Sequence, residues 1–150
     1  VRVHSSCITG DILGSLKCDC GPQLHEALKK ISLSKNGVLL YLFQEGRGIN
    51  IINKIMAYDL QSQGYDTVDA NEQLGFPAEL RQYDVVRSIL DDLKIRSIIL
   101  LTNNPDKVNK LVDLGVIIEG TENLEVIPNK HSRKYLTTKK TRMSHNLFEV

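Results

Sequence analysis

The chain has 150 residues, a formal net charge of +1 and a 41% share of hydrophobic residues. That is one domain's worth of sequence with enough apolar material for a core. The near-neutral balance gives no global field for nucleic acid or a membrane surface, no apolar run is long enough to span a bilayer, and no charged-then-apolar leader is read at the start.

In chain order, residues 1–7 read as a short strand. Residues 8–21 read as a loop with one helical turn, carrying three glycines and two aspartates. Pro22 stands where a first helical residue tolerates a missing N–H. Leu24, Ala27, Leu28 and Ile31 then follow at helical spacing until Asn36-Gly37. Residues 38–43 form an apolar run suited to a buried strand, followed by a charged, glycine-punctuated loop over 44–48. Ile51, Ile52, Ile55, Met56 and Leu60 mark a second helix ending near Gly64. Residues 65–77 are expected to be irregular, with a short extended piece at Thr67-Val68. Val85, Val86, Ile89, Leu90 and Leu93 mark a third helix, and residues 98–101 another buried strand. Asn104-Pro105 opens a fourth helix that closes at Gly115. Residues 116–118 and 124–127 read as short strands. Helices alternating with strands predict an α/β fold, a three-layer sandwich with a mixed sheet and helices on both faces.

The chain's three cysteines, Cys7, Cys18 and Cys20, fall in its first 20 residues as C-x10-C-x-C. An odd count in a chain of this size argues against a disulfide framework. Soft thiolates this close suit Zn²⁺, and three ligands rather than four leave a position for water. A lone buried cysteine usually only packs; three in this cluster point to metal. Unpaired thiols and no export signal favour the cytoplasm. Asp11 and Asp19, beside the cysteines, are read as turn or solvated loop charges.

Three further patterns carry chemistry. In the loop Gln44-Glu45-Gly46-Arg47-Gly48, Glu45 could accept from an amidine-like edge such as guanine's, and Arg47 could clamp phosphate; an ordinary charged turn reads equally well. Thr102 and Lys107 flank a helix N-terminus, a natural anion site, although Lys107 in solvent beside a capped helix would look the same. Glu79 and Arg81 could be an acid–base and a phosphate group, though a solvated helix start fits that stretch better. The basic segment 130–142 is read as a solvated, partly frayed end.

Taken in order, these pieces resemble GTP cyclohydrolase II. The matching stretches are Arg-Val-His-Ser-Ser-Cys at 2–7, Thr-Gly-Asp at 9–11, Leu-Lys-Cys-Asp-Cys-Gly at 16–21 and Gln-Glu-Gly-Arg-Gly at 44–48. Asn-Lys-Ile at 53–55, Gln-Gly-Tyr-Asp-Thr-Val at 63–68, Asn71, Gln-Leu-Gly-Phe at 73–76 and Leu-Thr-Asn-Asn-Pro at 101–105 complete them. The resemblance implies hydrolysis of GTP to formate, pyrophosphate and 2,5-diamino-6-ribosylamino-4(3H)-pyrimidinone 5′-phosphate, the first committed step of riboflavin synthesis. It implies one zinc on Cys7, Cys18 and Cys20, Mg²⁺ with the triphosphate, and a homodimer. It places GTP contacts at Arg2, Val3, His4, Ser5, Ser6, Gln23, Glu45, Gly46, Arg47, Thr67, Thr102 and Lys107. Tyr58 matches an aromatic near the reacting ring. Arg81 matches an arginine proposed to attack the α-phosphorus; a guanidinium with a pKa above about 12 is a poor nucleophile, so a charge clamp is the more conservative role. The sequence departs from the family at Glu79, where Asp is usual, and at Ser6, where many members carry Glu. The upstream segment familiar from the family does not precede residue 1, so residues 1–150 are expected to be a single cyclohydrolase domain of a longer protein. A GTP-binding domain that has lost catalysis, or one half of a bifunctional riboflavin enzyme, are the alternatives.

Overall fold

The computed structural model describes residues 1–148 and 150. Its elements are β1 (Arg2–Ser5), α1 (Cys20–Leu33), β2 (Leu39–Leu42), α2 (Asn50–Ser62), α3 (Thr67–Gln73), α4 (Asp84–Asp92), β3 (Ile98–Leu101), α5 (Pro105–Asp113), β4 (Ile118–Glu122) and α6 (Arg133–Arg142). A π-helical turn spans Ile8–Ile12, and a 3₁₀ turn spans Glu45–Gly48.

β1 pairs parallel with β2, Val3 lying opposite Leu40, and β3 pairs parallel with β4, with a register shift after Ile98. The strands thus form two two-stranded parallel sheets, not the single mixed sheet expected. α1 and α5 supply the long crossovers that parallel neighbours require. The sheets touch at β1 and β3, where the Val1 amino group donates to Ile99 O (2.7 Å) and Leu101 N donates to Val1 O (2.9 Å). Those bonds straddle Leu100, as in a parallel bridge.

Val3, Leu40 and Leu42 meet Leu100 of β3, Val86 and Leu90 of α4, and Leu111 of α5 in the main core. Leu101 instead packs with Ala27 of α1 and Leu124. Successive strand residues point to opposite faces, so Leu100 and Leu101 of β3 are covered on opposite sides, while Ile99 stays exposed.

Four expectations change. Residues 67–73 are helical, because Asp66 caps the segment, its carboxylate accepting from Val68 N (2.7 Å) and Asp69 N (2.9 Å). Residues 124–127 form no strand, and Leu124 is held by Asn103 instead, through Leu124 N to Oδ1 (2.6 Å) and Nδ2 to Leu124 O (2.9 Å). Helix α1 begins two residues before Pro22, which occupies its first turn rather than opening it. The basic segment is not a frayed end but carries α6, with Leu136 buried. No helix among the described residues is long and apolar enough to cross a membrane.

Candidate metal centre and anion pocket

The turn after β1 folds back so that Cys7 meets Cys18 and Cys20 at the start of α1. The three Sγ atoms lie within 4.8 Å of one another, with Cys7 and Cys18 3.7 Å apart. Zn–S bonds of about 2.3 Å in a tetrahedron put sulfurs about 3.8 Å apart, so this edge fits zinc as it stands. The approach is possible because residue 10 is glycine: a Cβ there would sit 2.9 Å from Cys18 Sγ and 3.1 Å from Cys7 Sγ. Gly21 is required for the same reason, since its Cβ would lie 2.3 Å from Gly10 O.

Electrostatics sharpen the case. Contacts from Cys18 and Cys20, against burial and with help from Lys54 and Thr9, hold the Cys7 thiol far below its ordinary range. The Cys18 thiol is drawn down by Cys20, but Cys7 and burial outweigh this and push it up to about 11. Cys20 is pushed up by Cys18, Cys7 and burial. The three thiols titrate as one coupled set, and with protons alone they do not all ionise near neutrality. A divalent cation is the group that lets all three ionise together.

The aspartates read as loop charges are buried supports. Asp11 accepts from Cys7 N (3.0 Å), the Tyr41 hydroxyl (2.8 Å) and His4 Nε2 (3.0 Å), and His4 also stacks on Tyr41. Burial first, then Arg2, lowers the His4 pKa. Asp19, between two of the cysteines, pairs with Lys139 (2.8 Å) and accepts from Gln23, which in turn accepts from Arg2 (2.8 Å). Burial opposes the Asp19 charge, and Lys139 more than offsets it.

Lys54 was not singled out in the sequence. Its Nζ donates to Cys7 Sγ (3.0 Å) and Glu45 Oε1 (2.7 Å), so α2 touches the thiolates directly. Glu45 also accepts from Ile8 N (2.5 Å) and Gly46 N (2.9 Å). Its carboxylate thus ties the metal loop to the 3₁₀ turn, whatever else it reads. Tyr58 lies over the same loop, with its hydroxyl 3.3 Å from Thr9 Oγ1 and Lys17 and Lys54 on its faces; burial pushes it up to about 12.

One pocket joins these groups. Arg2, His4, Ser5, Ser6, Gln23, Glu45, Gly46, Arg47, Tyr58, Thr67, Arg81, Thr102 and Lys107 line it together with the three cysteines. Val3 and Glu79 do not. Val3 lies in the core and offers only its carbonyl, which accepts from Lys107 Nζ (2.9 Å). Lys107 is therefore buried rather than solvated, and burial, then Arg2 and Arg81, drive its pKa well down. Glu79 stands behind the wall and holds Arg81, accepting from Nε (2.7 Å), N (3.0 Å) and Nη2. This stretch is not a solvated helix start, because pairing carries both charges inward. Burial alone would lower the Arg81 pKa; the Glu79 bonds more than reverse that and keep the guanidinium charged. Conversely, Glu79 is held below its ordinary value, burial being overcome by Arg81.

Arg47 is the unfinished group. Its backbone is left-handed (φ 61°), as is Gly46 before it (φ 63°), and both terminal nitrogens are buried without a partner among the described residues. A non-glycine residue in that conformation carries strain that the surroundings must impose, and buried unpaired donors are costly unless a ligand completes them. Arg2, Arg47, Lys54, Arg81, Lys107 and Lys139 put six basic side chains around the pocket, and Glu45 is the only lining carboxylate among the described residues. Such a cavity takes a polyanion. Asn71, Asn103, Tyr135, Lys139 and His145 also line it without having been foreseen; for Tyr135 and Lys139 the available signal was the basic, aromatic-bearing 130–142 stretch.

The comparisons agree with this chemistry. The family model for GTP cyclohydrolase II matches residues 1–123. The chain is 54% identical over 147 residues to the riboflavin biosynthesis protein RibBA of Bacillus subtilis (strain 168), covering 98% of this chain and 37% of that protein. It is 53% identical over 150 residues to RibBA of Endomicrobium trichonymphae, all of this chain and 37% of the relative. It is 53% identical over 146 residues to GTP cyclohydrolase-2 of Hahella chejuensis (strain KCTC 2396), 97% of this chain and 70% of that protein. The chain thus spans little more than a third of the RibBA relatives. A thiolate triad beside a cation-lined pocket and a match over most of the chain lead to one conclusion: it belongs to the GTP cyclohydrolase II family.

Proposed function

We propose that the chain hydrolyses GTP to formate, pyrophosphate and 2,5-diamino-6-ribosylamino-4(3H)-pyrimidinone 5′-phosphate, the opening step of riboflavin synthesis. The observation that carries this is the three-thiol cluster on the wall of a pocket whose Arg47 offers two buried, unpartnered nitrogens. Cys7, Cys18 and Cys20 would hold a zinc ion, which would supply a Lewis acid able to bring the pKa of water to about 7. The rest of the work belongs to the chain. Arg47, Arg81 and Lys107 bind the phosphates, and Arg81, kept charged by Glu79, stabilises the departing pyrophosphate. That arrangement supports the clamp over a nucleophilic arginine, because a guanidinium tied to a carboxylate has no free lone pair. Tyr58, beside Thr9 on the metal loop, orients the reacting ring, while Glu45 sets the distance between metal loop and phosphate loop. Thr67, Thr102, Ser5 and Ser6 supply hydroxyls, and Gln23 and Arg2 close the far side. The family resemblance supports Mg²⁺ on the triphosphate, a homodimer and a cytoplasmic setting.

The test is incubation of the full-length protein with GTP, Mg²⁺ and Zn²⁺, with formate and pyrophosphate assayed separately. Release of both is expected, and release of neither refutes the reading. Glu79 and Ser6 favour one competitor, a zinc-stabilised domain that binds GTP without turnover. That competitor predicts GTP binding without products and activity regained in Glu79→Asp.

A further inference from the structure

The family match ends at residue 123, yet α6 lies wholly beyond it and borders the pocket with Tyr135 and Lys139. Long-range contacts fix it there. Lys139 bonds Asp19 (2.8 Å), Lys134 donates to Gly64 O (3.2 Å), Arg142 bonds Asp66, the cap of α3, and Asp69 within it, and Asn146 N donates to Asn103 O (2.9 Å). Leu136 and Leu147 are buried beneath. The Tyr135 ring sits between two cations, its centroid 5.9 Å from Arg47 Cζ and 4.7 Å from Lys139 Nζ. Lys139 has its charge answered by Asp19, whereas the Arg47 terminal nitrogens have no partner among the described residues.

We propose that Tyr135 is a positioning residue for the anionic part of the ligand: its ring holds Arg47 by the guanidinium face and leaves the in-plane N–H groups free for phosphate. The physical reason is geometric. A guanidinium attracts an aromatic ring through its flat face, while its donors point out of the edge. A carboxylate holding Arg47 would consume those donors; an aromatic ring holds it and consumes none. The left-handed backbone at Arg47 aims the side chain, and Tyr135 fixes its far end, giving the fork needed for a bidentate phosphate contact. Asp19 draws Lys139 toward the metal loop, so that cation does not occupy the place meant for the anion.

The nucleotide reading above supplies only the identity of the ligand, and the test separates the two. Calorimetry on the full chain measures inorganic tripolyphosphate, guanosine and GTP against the parent, Tyr135→Phe and Tyr135→Leu. Loss of the ring is expected to weaken tripolyphosphate and GTP about three- to thirty-fold. Guanosine should stay within about twofold, and Tyr135→Phe should match the parent. In an Arg47→Met background, Tyr135→Leu should add nothing to the tripolyphosphate loss. Tyr135→Met takes the place of Tyr135→Leu if the latter does not fold. Equal weakening of guanosine and tripolyphosphate, an unchanged tripolyphosphate affinity, or a loss in Tyr135→Phe as large as in Tyr135→Leu overturns the proposal. A parent that binds tripolyphosphate but not GTP would retire the nucleotide reading and leave the Tyr135 comparison intact.

Discussion

Gly10→Ala is the sharpest single perturbation of the metal centre. The new methyl would lie 2.9 Å from Cys18 Sγ, 3.1 Å from Cys20 Cβ and 3.1 Å from Cys7 Sγ. Ordinary contact begins near 3.4 Å, so the tightest of these is short by about half an ångström. The obstructing atoms are short side chains fixed by one another, not the mobile tips of long ones. Metal sites tolerate ligand shifts of about 0.2 Å, so a half-ångström displacement exceeds what the cluster can absorb. Overpacking alone costs about 1–3 kcal/mol, which corresponds to a loss in zinc affinity of roughly five- to 150-fold if the strain falls on the bound state. The assay is competitive titration with a chromophoric chelator, supported by the cobalt–thiolate charge-transfer band. Gly120→Ala is the control, because nothing lies within 4 Å of its added Cβ. Parent-like zinc affinity and an unaltered cobalt spectrum in Gly10→Ala would refute the close-packed cluster.

Three other outcomes are expected. Glu79→Gln leaves Arg81 charged and partly buried without its carboxylate, with about 2–4 kcal/mol lost in urea unfolding at pH 7 and a larger KM for GTP; unchanged stability would contradict the pairing. Asp66→Ala removes the cap of α3 and should cost about 1 kcal/mol, a fall in Tm of about 2–4 °C by calorimetry. His145 is pushed down to about 4 by burial, then by Lys139, Arg47 and Arg81. The unfolded chain, with a histidine pKa of about 6.5, then takes up the proton first as pH falls, so stability is full above that value and is lost on the way to pH 4. Allowing for partial exposure, the loss is about 1–2 kcal/mol, and His145→Gln should remove it from the difference between urea midpoints at pH 7 and pH 4.5.

The parts of this molecule legible in its sequence are those governed by neighbours along the chain. Cys7, Cys18 and Cys20 stand close enough in sequence to imply a shared ion, and Gly10 and Gly21 lie within the same short loop. Asn104-Pro105 announces α5 because capping is local: Asn104 accepts from Asp106 N at 3.0 Å. The helix over 67–73 was legible in the same way, in Asp66 followed by Asp69, but the flanking glycines and proline masked it. Sheet pairing was not legible, since short apolar runs such as residues 38–43 carry no information about their partners' direction.

What only the tertiary structure decided is where the charges go. Asp11, Asp19, Glu79, Lys107 and Lys139 are all side chains that, read alone, belong in water. Each is taken largely out of water because its partner is brought to it, and some of those partners are remote: Lys107 reaches Val3 O, and Lys139 reaches Asp19. The desolvation of one charge is offset only by a group that the fold places beside it, and sequence spacing does not encode that meeting. The sequence by itself determined the three-cysteine loop, the cap of α5 and the family; the closing of the pocket by α6 and the burial of the Arg47 guanidinium arose from packing across the whole chain.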